Sequence, residues 1–194
     1  DRSKGFVPTE IAKEIKQKCI NLGFYACNFP EEVGGAGLNH LDFALVEREL
    51  GRGSMALTHF FGRPQNILMA CKGEQIENYL LPAVRGEKMD ALAMTEPDAG
   101  SDVRGMKCFA KRDGTDWIVN GTKHFISGAE HADFVIVFIA TGEENTEKGP
   151  KKKITAFLVD RGTQGFTIRD GYNSVSHKGY KNMILEFDDC RLPK

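Results

Sequence analysis

The hydrophobic pattern of this chain changes its period near Met89, and that change constrains the fold more than any other feature. Before Met89 the apolar residues recur every three or four positions, which is the spacing of one helix face. After Met89 short β-branched and aromatic segments alternate with turn residues, and no helix-length amphipathic segment interrupts them. Strands joined without helices pair antiparallel. The sequence therefore predicts an α+β protein, with an N-terminal helical domain at residues 1–88 and an antiparallel β-barrel domain at residues 89–194.

Helices are predicted in the first domain at Pro8–Phe24, His40–Leu50, Ser54–Cys71 and Glu74–Val84. Proline lacks the N–H that a helix interior needs, so we expect Pro64 to kink or split the third helix and Pro82 to mark the end of the fourth. Apolar residues at helical spacing are expected to face the core. In the first two helices these are Ile11, Ile15, Cys19 and Leu22, and then Leu41, Ala44, Leu45 and Val46.

Strands are predicted in the second domain at Asp90–Thr95, Met106–Arg112, Asp116–Asn120, Thr122–Ser127, Phe134–Ala140, Ile154–Val159, Phe166–Arg169 and Met183–Phe187. The dipeptides Asp113-Gly114 and Asn120-Gly121 predict hairpin turns, because such pairs tolerate a positive φ. The polar residues 142–152 predict a loop between strands.

Composition excludes several functional classes. The formal net charge is −1 and no apolar run reaches the ~20 residues that span a bilayer, so we expect neither a nucleic-acid partner nor a membrane span. The five cysteines are scattered and form no Cys-x-x-Cys, which favours a reducing compartment over a disulfide framework or a zinc site. The histidines show no ligand spacing, so we expect no metal.

The segment Ala91–Asp102 is the first candidate for chemistry. An apolar strand ends there at a hydroxyl residue, Thr95, and a turn follows in which Pro97 fixes φ and Gly100 permits close backbone approach. Such a loop can direct successive N–H groups at an anion such as a diphosphate. The alternative is a β-turn without a ligand, which physics alone favours.

The segment Lys123–Ala129 is the second candidate. Phe125 and Ser127 lie two residues apart on a predicted strand and therefore share a face. In that arrangement the ring can cover a planar ligand while the hydroxyl donates to its edge. A core phenylalanine beside a turn serine is the alternative. The run Gly34–Gly37 lacks the spacing of a phosphate-binding loop and is interpreted as a structural turn.

These segments, together with two others, carry a resemblance to the acyl-CoA dehydrogenase family. The four similar blocks occur in family order and with family spacing, at Pro30–Leu38, Met94–Val103, Val119–Ser127 and Phe187–Pro193. The resemblance implies a subunit with an N-terminal helical domain, a middle β-barrel and a C-terminal four-helix domain, of which this chain matches the first two. Because the chain begins at Asp1 rather than methionine, we expect a fragment, and it carries no information on a targeting peptide.

The resemblance also implies that FAD is the cofactor and assigns roles to residues. The cofactor-binding set is Leu92, Ala93, Met94, Thr95, Gly100, Ser101, Phe125, Ile126 and Ser127. Leu92 through Thr95 would line the flavin, with the Thr95 hydroxyl on its pyrimidine side. Gly100 and Ser101 would meet the diphosphate, and Ser101 would also border the acyl-CoA substrate. Phe125 would pack on the flavin, and Ser127 would bond near N5.

The chain departs from the family pattern in three respects. Asp98 stands where glycine is usual and adds a negative charge near the diphosphate region. Phe125 replaces the commoner tryptophan and Ser127 the commoner threonine, and both substitutions keep the chemistry. In Ser176–Asn182 only Lys178 tracks a family arginine, so this region is a weak guide to the acyl chain.

The activity implied by the resemblance is α,β-dehydrogenation of an acyl-CoA thioester, in fatty-acid or branched-chain catabolism. A carboxylate base removes the α-proton while a hydride passes from the β-carbon to the flavin. The family's glutamate base usually belongs to the C-terminal domain, so no catalytic residue is assigned here and the 194 residues alone are expected to be inactive.

The implied partners are acyl-CoA, an electron-transfer flavoprotein as electron acceptor and further copies of the chain in a homo-oligomer. The implied compartment is the bacterial cytoplasm or the mitochondrial matrix. Two alternatives stay open: an acyl-CoA oxidase or flavin monooxygenase on the same scaffold, and a binding or assembly module without catalysis.

Overall fold

The chain folds into two compact units. The structure is a computed structural model that describes residues 7–147, 149–172, 174–175, 179 and 181–193. One unit, called here the helical unit, consists of residues 1–90 with 174–180. The other, the sheet unit, consists of residues 91–173 with 181–194. The helical unit thus includes a segment from late in the sequence that the hydrophobic period did not indicate.

The helical unit is built from short helices. Its α-helices are α1 (Thr9–Asn21), α2 (His40–Leu50), α3 (Met55–Thr58) and α4 (Leu81–Val84). Turns of 3₁₀-helix lie at Glu31–Val33, His59–Phe61 and Asn66–Ala70, and a π-helix at Ile76–Leu80 leads directly into α4. Asn39 caps α2, because its Oδ1 accepts hydrogen bonds from the N–H groups of Leu41 and Asp42 at 2.9 and 3.0 Å.

The two prolines of the predicted helices behave differently. Pro64 separates the 3₁₀ turn that ends at Phe61 from the one that begins at Asn66, so the predicted split of the third helix is confirmed. The fourth helix ends at Val84 as predicted, two residues beyond Pro82. Pro82 has no N–H to offer the carbonyl of Asn78 one turn earlier, and that carbonyl accepts from the Lys88 Nζ at 3.0 Å instead.

The apolar stripes of α1 and α2 are not buried, so that prediction was wrong. Neither helix contains a buried residue, and Leu22 and Leu41 are each 70% exposed. The buried residues of this unit lie mainly in its loops and short turns, among them Phe29, Phe61 and Leu68. A stripe shows that a helix face is apolar, but it does not show that the same unit covers that face.

The sheet unit is a curled, mainly antiparallel sheet. Its strands are β1 (Asp90–Ala93), β2 (Phe109–Asp113), β3 (Asp116–Ser127), β4 (Phe134–Thr146), β5 (Gly149–Asp160), β6 (Phe166–Tyr172) and β7 (Asn182–Leu192). The strand order is β1-β4-β2-β3-β7-β6, and β5 pairs with β4. Four pairs are antiparallel, while β2 and β4 pair parallel through Phe109 and Ala140. The predicted fold class, helices followed by an antiparallel curled sheet, is confirmed.

One of the two predicted hairpin turns is present. The turn at Asp113-Gly114 joins β2 to β3, with Asp113 opposite Asp116. The turn predicted at Asn120-Gly121 is wrong, because β3 runs through it with a bulge against β7. Gly121 has a φ of 137°, and a Cβ there would lie 2.4 Å from the Sγ of Cys108. The glycine therefore serves a close strand approach rather than a chain reversal.

The loop predicted at residues 142–152 is also wrong, because β4 and β5 extend into a hairpin that closes at Thr146 and Gly149. Glu143 lies opposite Lys152 in this hairpin, and Glu144 lies opposite Lys151. Opposite charges in facing positions favour strand pairing without any apolar alternation. Hydrophobic periodicity therefore could not reveal these strands.

The core of the sheet unit lies on one face of β3, β6 and β7, whereas the first half of β4 is buried on both faces. In β7 the buried residues Met183, Leu185 and Phe187 alternate with half-buried ones. Phe166 of β6 stacks on Phe187 with ring centroids 5.0 Å apart. Because successive side chains of a strand point to opposite faces, the other face of β3, β6 and β7 is left for surface contacts.

Candidate functional site

The two candidate segments meet on the sheet unit. The loop that follows β1 lies beside the end of β3, and the His124 N–H donates to the carbonyl of Thr95 at 2.9 Å. This hydrogen bond joins Thr95 to the residue before Phe125. It therefore brings together two residues that were predicted to contact the flavin ring.

A buried ion pair supports this junction. Lys123 and Glu96 have side-chain exposures of 0% and 3%, and the Lys123 Nζ lies 2.7 Å from the Glu96 Oε1. The ammonium also donates to the carbonyl of Met94 at 3.0 Å. The Glu96 carboxylate accepts the backbone N–H groups of Lys107 and Cys108 as well. The pair thus fixes the backbone on both sides of Thr95.

The contacts of Glu96 also decide its protonation state. Burial by itself raises the pKa of the carboxyl group. The hydrogen bond and charge of Lys123, with the N–H groups of Lys107 and Cys108, outweigh burial and hold the pKa of Glu96 below its usual range. The carboxyl group of Glu96 is therefore ionised at neutral pH.

The loop itself is a tight turn followed by exposed backbone. Glu96 and Ala99 exchange two backbone hydrogen bonds, of 2.9 and 3.3 Å. Gly100 and Ser101 come next and are exposed, and within the described part of the chain their N–H groups have no acceptor. A Cβ built on Gly100 has nothing within 4 Å. The chain therefore has no packing reason for glycine at this position, whereas a ligand that approaches the backbone closely would supply one.

The predicted flavin-lining residues divide by burial. Ala93 is buried in the core, so only its backbone can face a ligand. Leu92, Met94 and Thr95 are half-buried, and Leu92 alternates with buried neighbours along β1. The side chain of Leu92 therefore lies on the face of β1 away from the core.

The end of β3 presents a ring and a hydroxyl group. Phe125 is 50% exposed and Ser127 is exposed, whereas Ile126 between them is buried in the core. The Ser127 Oγ donates to the Asn182 Oδ1 at 2.9 Å. Phe125 is thus a surface aromatic residue rather than a core residue, and Ile126 can contribute only its backbone.

The unusual charge at Asp98 has a partner. Its Oδ2 lies 2.7 Å from the Lys107 Nζ, and both side chains are exposed. The hydrogen bond and charge of Lys107 lower the pKa of Asp98. The extra negative charge near the proposed diphosphate region is therefore accompanied by a positive one.

Sequence reasoning missed four residues of this region: Lys123, Glu96, His124 and Tyr172. Lys123 gave no signal of burial, because Thr122 and His124 on either side of it are also polar. Nothing in the sequence indicated that Tyr172 would lie near Phe125. Lys178, compared above with a family arginine, lies outside the described residues.

Two further findings concern only the described ranges. Among them, no group of three or more His, Cys, Asp and Glu side chains is placed to hold a metal ion. None of the helices described is long and apolar enough to cross a membrane.

Comparison with known proteins identifies the family of the chain. Residues 3–87 match the family model described as acyl-CoA dehydrogenase, N-terminal domain, and residues 91–190 match acyl-CoA dehydrogenase, middle domain. The chain belongs to the acyl-CoA dehydrogenase family. This membership confirms the resemblance inferred from the four sequence blocks.

Individual members of the acyl-CoA dehydrogenase family agree along the whole chain. The mitochondrial isovaleryl-CoA dehydrogenase of Pongo abelii is 35% identical over 198 residues, which cover 100% of this chain and 46% of that protein. A probable acyl-CoA dehydrogenase of Mycobacterium abscessus matches with a TM-score of 0.85 at 30% identity, over 99% of this chain and 50% of that one. A glutaryl-CoA dehydrogenase of Mycobacterium smegmatis, solved in complex with FADH2, matches with a TM-score of 0.80 at 30% identity, over 99% and 47%. The chain spans about half the length of the curated relatives it matches.

Proposed function

We propose that this chain forms the N-terminal and middle parts of an FAD-dependent acyl-CoA dehydrogenase, which converts an acyl-CoA thioester to its α,β-unsaturated product. The observation that carries the proposal is the junction of two segments by the His124–Thr95 backbone bond. That bond places an exposed ring, Phe125, near the hydroxyl residue Thr95, and the exposed backbone of Gly100 and Ser101 follows Thr95 in the same loop. A ring platform next to unpaired N–H groups suits a ligand with a planar ring and a diphosphate.

In this proposal the isoalloxazine ring lies against Phe125 and the side chains of Leu92 and Met94. The hydroxyl groups of Thr95 and Ser127 bond its polar edges. Ser127 donates to Asn182 in the structure, so its hydroxyl must turn from that partner to meet a flavin atom. The backbones of Ala93 and Ile126 complete the wall, because the side chains of both residues belong to the core.

The diphosphate is proposed to bind at Gly100 and Ser101. Their free N–H groups supply donors, and the open space above Gly100 allows close approach of a phosphate oxygen. Ser101 would also border the acyl-CoA. Backbone donors in a turn bind anions without requiring a charged side chain, which is consistent with Lys107 being engaged by Asp98.

When bound, FAD supplies the acceptor for the hydride. The residues of this chain orient that acceptor and exclude water from one side of it. No base is assigned within the 194 residues, and we propose that these residues alone do not turn over substrate. The same proposal includes three further points: an electron-transfer flavoprotein as electron acceptor, a homo-oligomeric assembly, and the bacterial cytoplasm or mitochondrial matrix as compartment. The proposed compartment is supported by the relatives, which include mitochondrial and bacterial members of the family.

Gly100→Ala tests the proposal in the full natural protein that contains this chain. The new Cβ meets no atom of the chain and Gly100 does not have a positive φ, so the apo-protein should unfold at an unchanged temperature. FAD affinity, titrated by flavin fluorescence, should fall roughly tenfold or more because the methyl group occupies the proposed phosphate position.

A matched control is Gly51→Ala, at a helical φ of −62° beyond α2 and with its nearest contact at an ordinary 3.4 Å. It should change neither stability nor FAD affinity. A natural protein that binds no FAD, or a Gly100→Ala variant that binds FAD as tightly as the unchanged protein, would refute the proposed site.

A further inference from the structure

We propose that Tyr172, together with His124, is a positioning residue that backs the ring of Phe125 from one side and keeps its other side open for the flavin. This inference rests on the proposed function, since the ligand it serves is the isoalloxazine ring. Three aromatic rings carry the argument, two of them at the end of β3 and one at the end of β6.

The rings form a compact triangle. The centroid of Phe125 lies 4.3 Å from that of His124 and 4.3 Å from that of Tyr172. The centroids of His124 and Tyr172 are 5.7 Å apart. If these two rings lay on opposite faces of Phe125, they would be roughly twice 4.3 Å apart. They therefore lie toward the same side, which leaves the other side of Phe125 open and agrees with its exposure of 50%.

The sheet is shaped to bring these rings together. β7 lies between β3 and β6, so the strands that carry the rings are not neighbours. Their side chains must therefore reach across β7 to make contact. In the β3–β7 ladder Lys123 pairs with Leu185 and Ile126 with Met183, so two residues of β3 oppose one of β7. A bulge of this kind bends the strand and redirects its side chains.

A second bulge lies directly across β7. In the β6–β7 ladder Arg169 pairs with Ile184 and Tyr172 with Asn182, so again two residues oppose one. Gly171 makes this bulge possible, because a Cβ at that position would lie 1.9 Å from the carbonyl oxygen of Asn182. The two bulges flank the same short stretch of β7, and they place Tyr172 and Phe125 within ring contact.

The backbone at Phe125 explains why a support is needed. Its φ of 57° lies in the left-handed region, which is uncommon for a bulky residue and persists only where neighbouring contacts hold it. Two such contacts come from the adjacent rings. The Tyr172 hydroxyl lies 3.1 Å from the His124 Nδ1 and links the two supporting rings to each other.

The consequence is a ring platform that is ordered before the ligand arrives. A side chain that is already immobilised loses less freedom on binding, so its support contributes to affinity without touching the ligand. An aromatic contact of this kind corresponds to roughly a 2- to 10-fold change in an equilibrium constant. Tyr172 should therefore act through Phe125 and not through a direct bond to the flavin.

Three variants of the full natural protein test this role: Tyr172→Leu, Tyr172→Phe and the control Phe109→Leu. Tyr172→Leu removes the ring and should weaken FAD binding roughly 2- to 10-fold and alter the absorption band of the bound flavin. Tyr172→Phe keeps the ring and should restore the band and an affinity within about twofold. Phe109 is an exposed aromatic residue of β2 outside the ring triangle, so Phe109→Leu should change neither.

Folding of each variant is checked by thermal unfolding followed by circular dichroism, and Tyr172→Met takes the place of Tyr172→Leu if the latter does not fold. Unchanged affinity and an unchanged flavin band in the ring-less variant would overturn the inference while leaving the proposed function intact. An unchanged protein that binds no FAD would overturn both. A loss that Tyr172→Phe does not restore would also overturn it, because the ring would then not be the supporting group.

Discussion

Replacing Lys123 with methionine should destabilise the sheet unit by about 3–5 kcal/mol, the range for removing one partner of a buried ion pair. The Lys123 side chain is fully buried and makes two contacts, with Glu96 at 2.7 Å and with the carbonyl of Met94 at 3.0 Å. Methionine keeps most of the volume, so the loss comes from an uncompensated carboxylate rather than from a cavity. It is a large part of the ~5–15 kcal/mol by which domains are usually stable.

The assay is urea unfolding followed by the fluorescence of Trp117, the one tryptophan of the sequence. Trp117 lies on β3 and packs edge-to-face against Phe157 at 5.7 Å, so it reports on the sheet unit. The matched control is Lys107→Met, which also exchanges lysine for methionine and breaks an ion pair. Because the Lys107–Asp98 pair is exposed, this control should leave the unfolding midpoint nearly unchanged.

The pH dependence gives an independent check. In the unchanged chain the pKa of Glu96 is lowered on folding. The ionised Glu96 therefore stabilises the fold at any pH above its pKa in the unfolded chain, which is about 4.3, and this stabilisation is lost as the pH falls further. In Lys123→Met the main opposing cation is gone and burial acts on Glu96, so protonation relieves the defect. The stability difference between the two proteins should therefore narrow on acidification. A loss below about 1 kcal/mol, or one that does not depend on pH, would refute the reasoning.

Four further outcomes are expected. Burial raises the pKa of Asp90 to about 6, against about 3.9 in an unfolded chain, so stability should fall as pH rises from about 4 through 6. Asp90→Asn should abolish this dependence of stability on pH and stabilise the protein on the order of 2 kcal/mol at pH 8. Urea unfolding at a series of pH values measures both effects, and a variant with the same pH dependence would contradict the prediction. Gly121→Ala should destabilise the chain by about 2–3 kcal/mol in thermal unfolding, because its Cβ would lie 2.8 Å from the Cys108 Cα; an unchanged midpoint would mean that the bulge is not constrained. In the full natural protein, Thr95→Val and Ser127→Ala should each cost roughly 1–3 kcal/mol of FAD binding or shift the flavin potential, and unchanged affinity, potential and turnover in both would remove these roles. The 194 residues alone should not bleach added FAD when acyl-CoA is supplied, and bleaching would place a base within them.

Local signals predicted the local structure well. The helix His40–Leu50 begins and ends at the predicted residues, because Asn39 and Gly51 mark its ends through interactions a few residues long. The hairpin at Asp113-Gly114 was predicted for the same reason. In both cases the sequence window contains every group that the conformation requires.

Predictions failed where a distant segment decided the outcome. Asn120-Gly121 has the composition of a turn, but β3 continues through it because Cys108, the residue before β2, approaches the glycine. The apolar residues of α2 have helical spacing, but nothing within the described helical unit buries them. A local pattern states what a segment tolerates, and the packing partner decides which of the tolerated conformations is adopted.

The candidate site divides in the same way. The sequence by itself determined the chemical groups and their order: a hydroxyl residue before a proline-containing turn, then glycine and serine, then a ring and a hydroxyl two positions apart on a strand. The tertiary structure alone decided that Thr95 and Phe125 adjoin, that Lys123 is buried against Glu96, and that Tyr172 supports the ring. The physical reason is range, since propensity and periodicity act over a few residues, whereas these contacts join strands whose pairing depends on the free energy of the whole sheet.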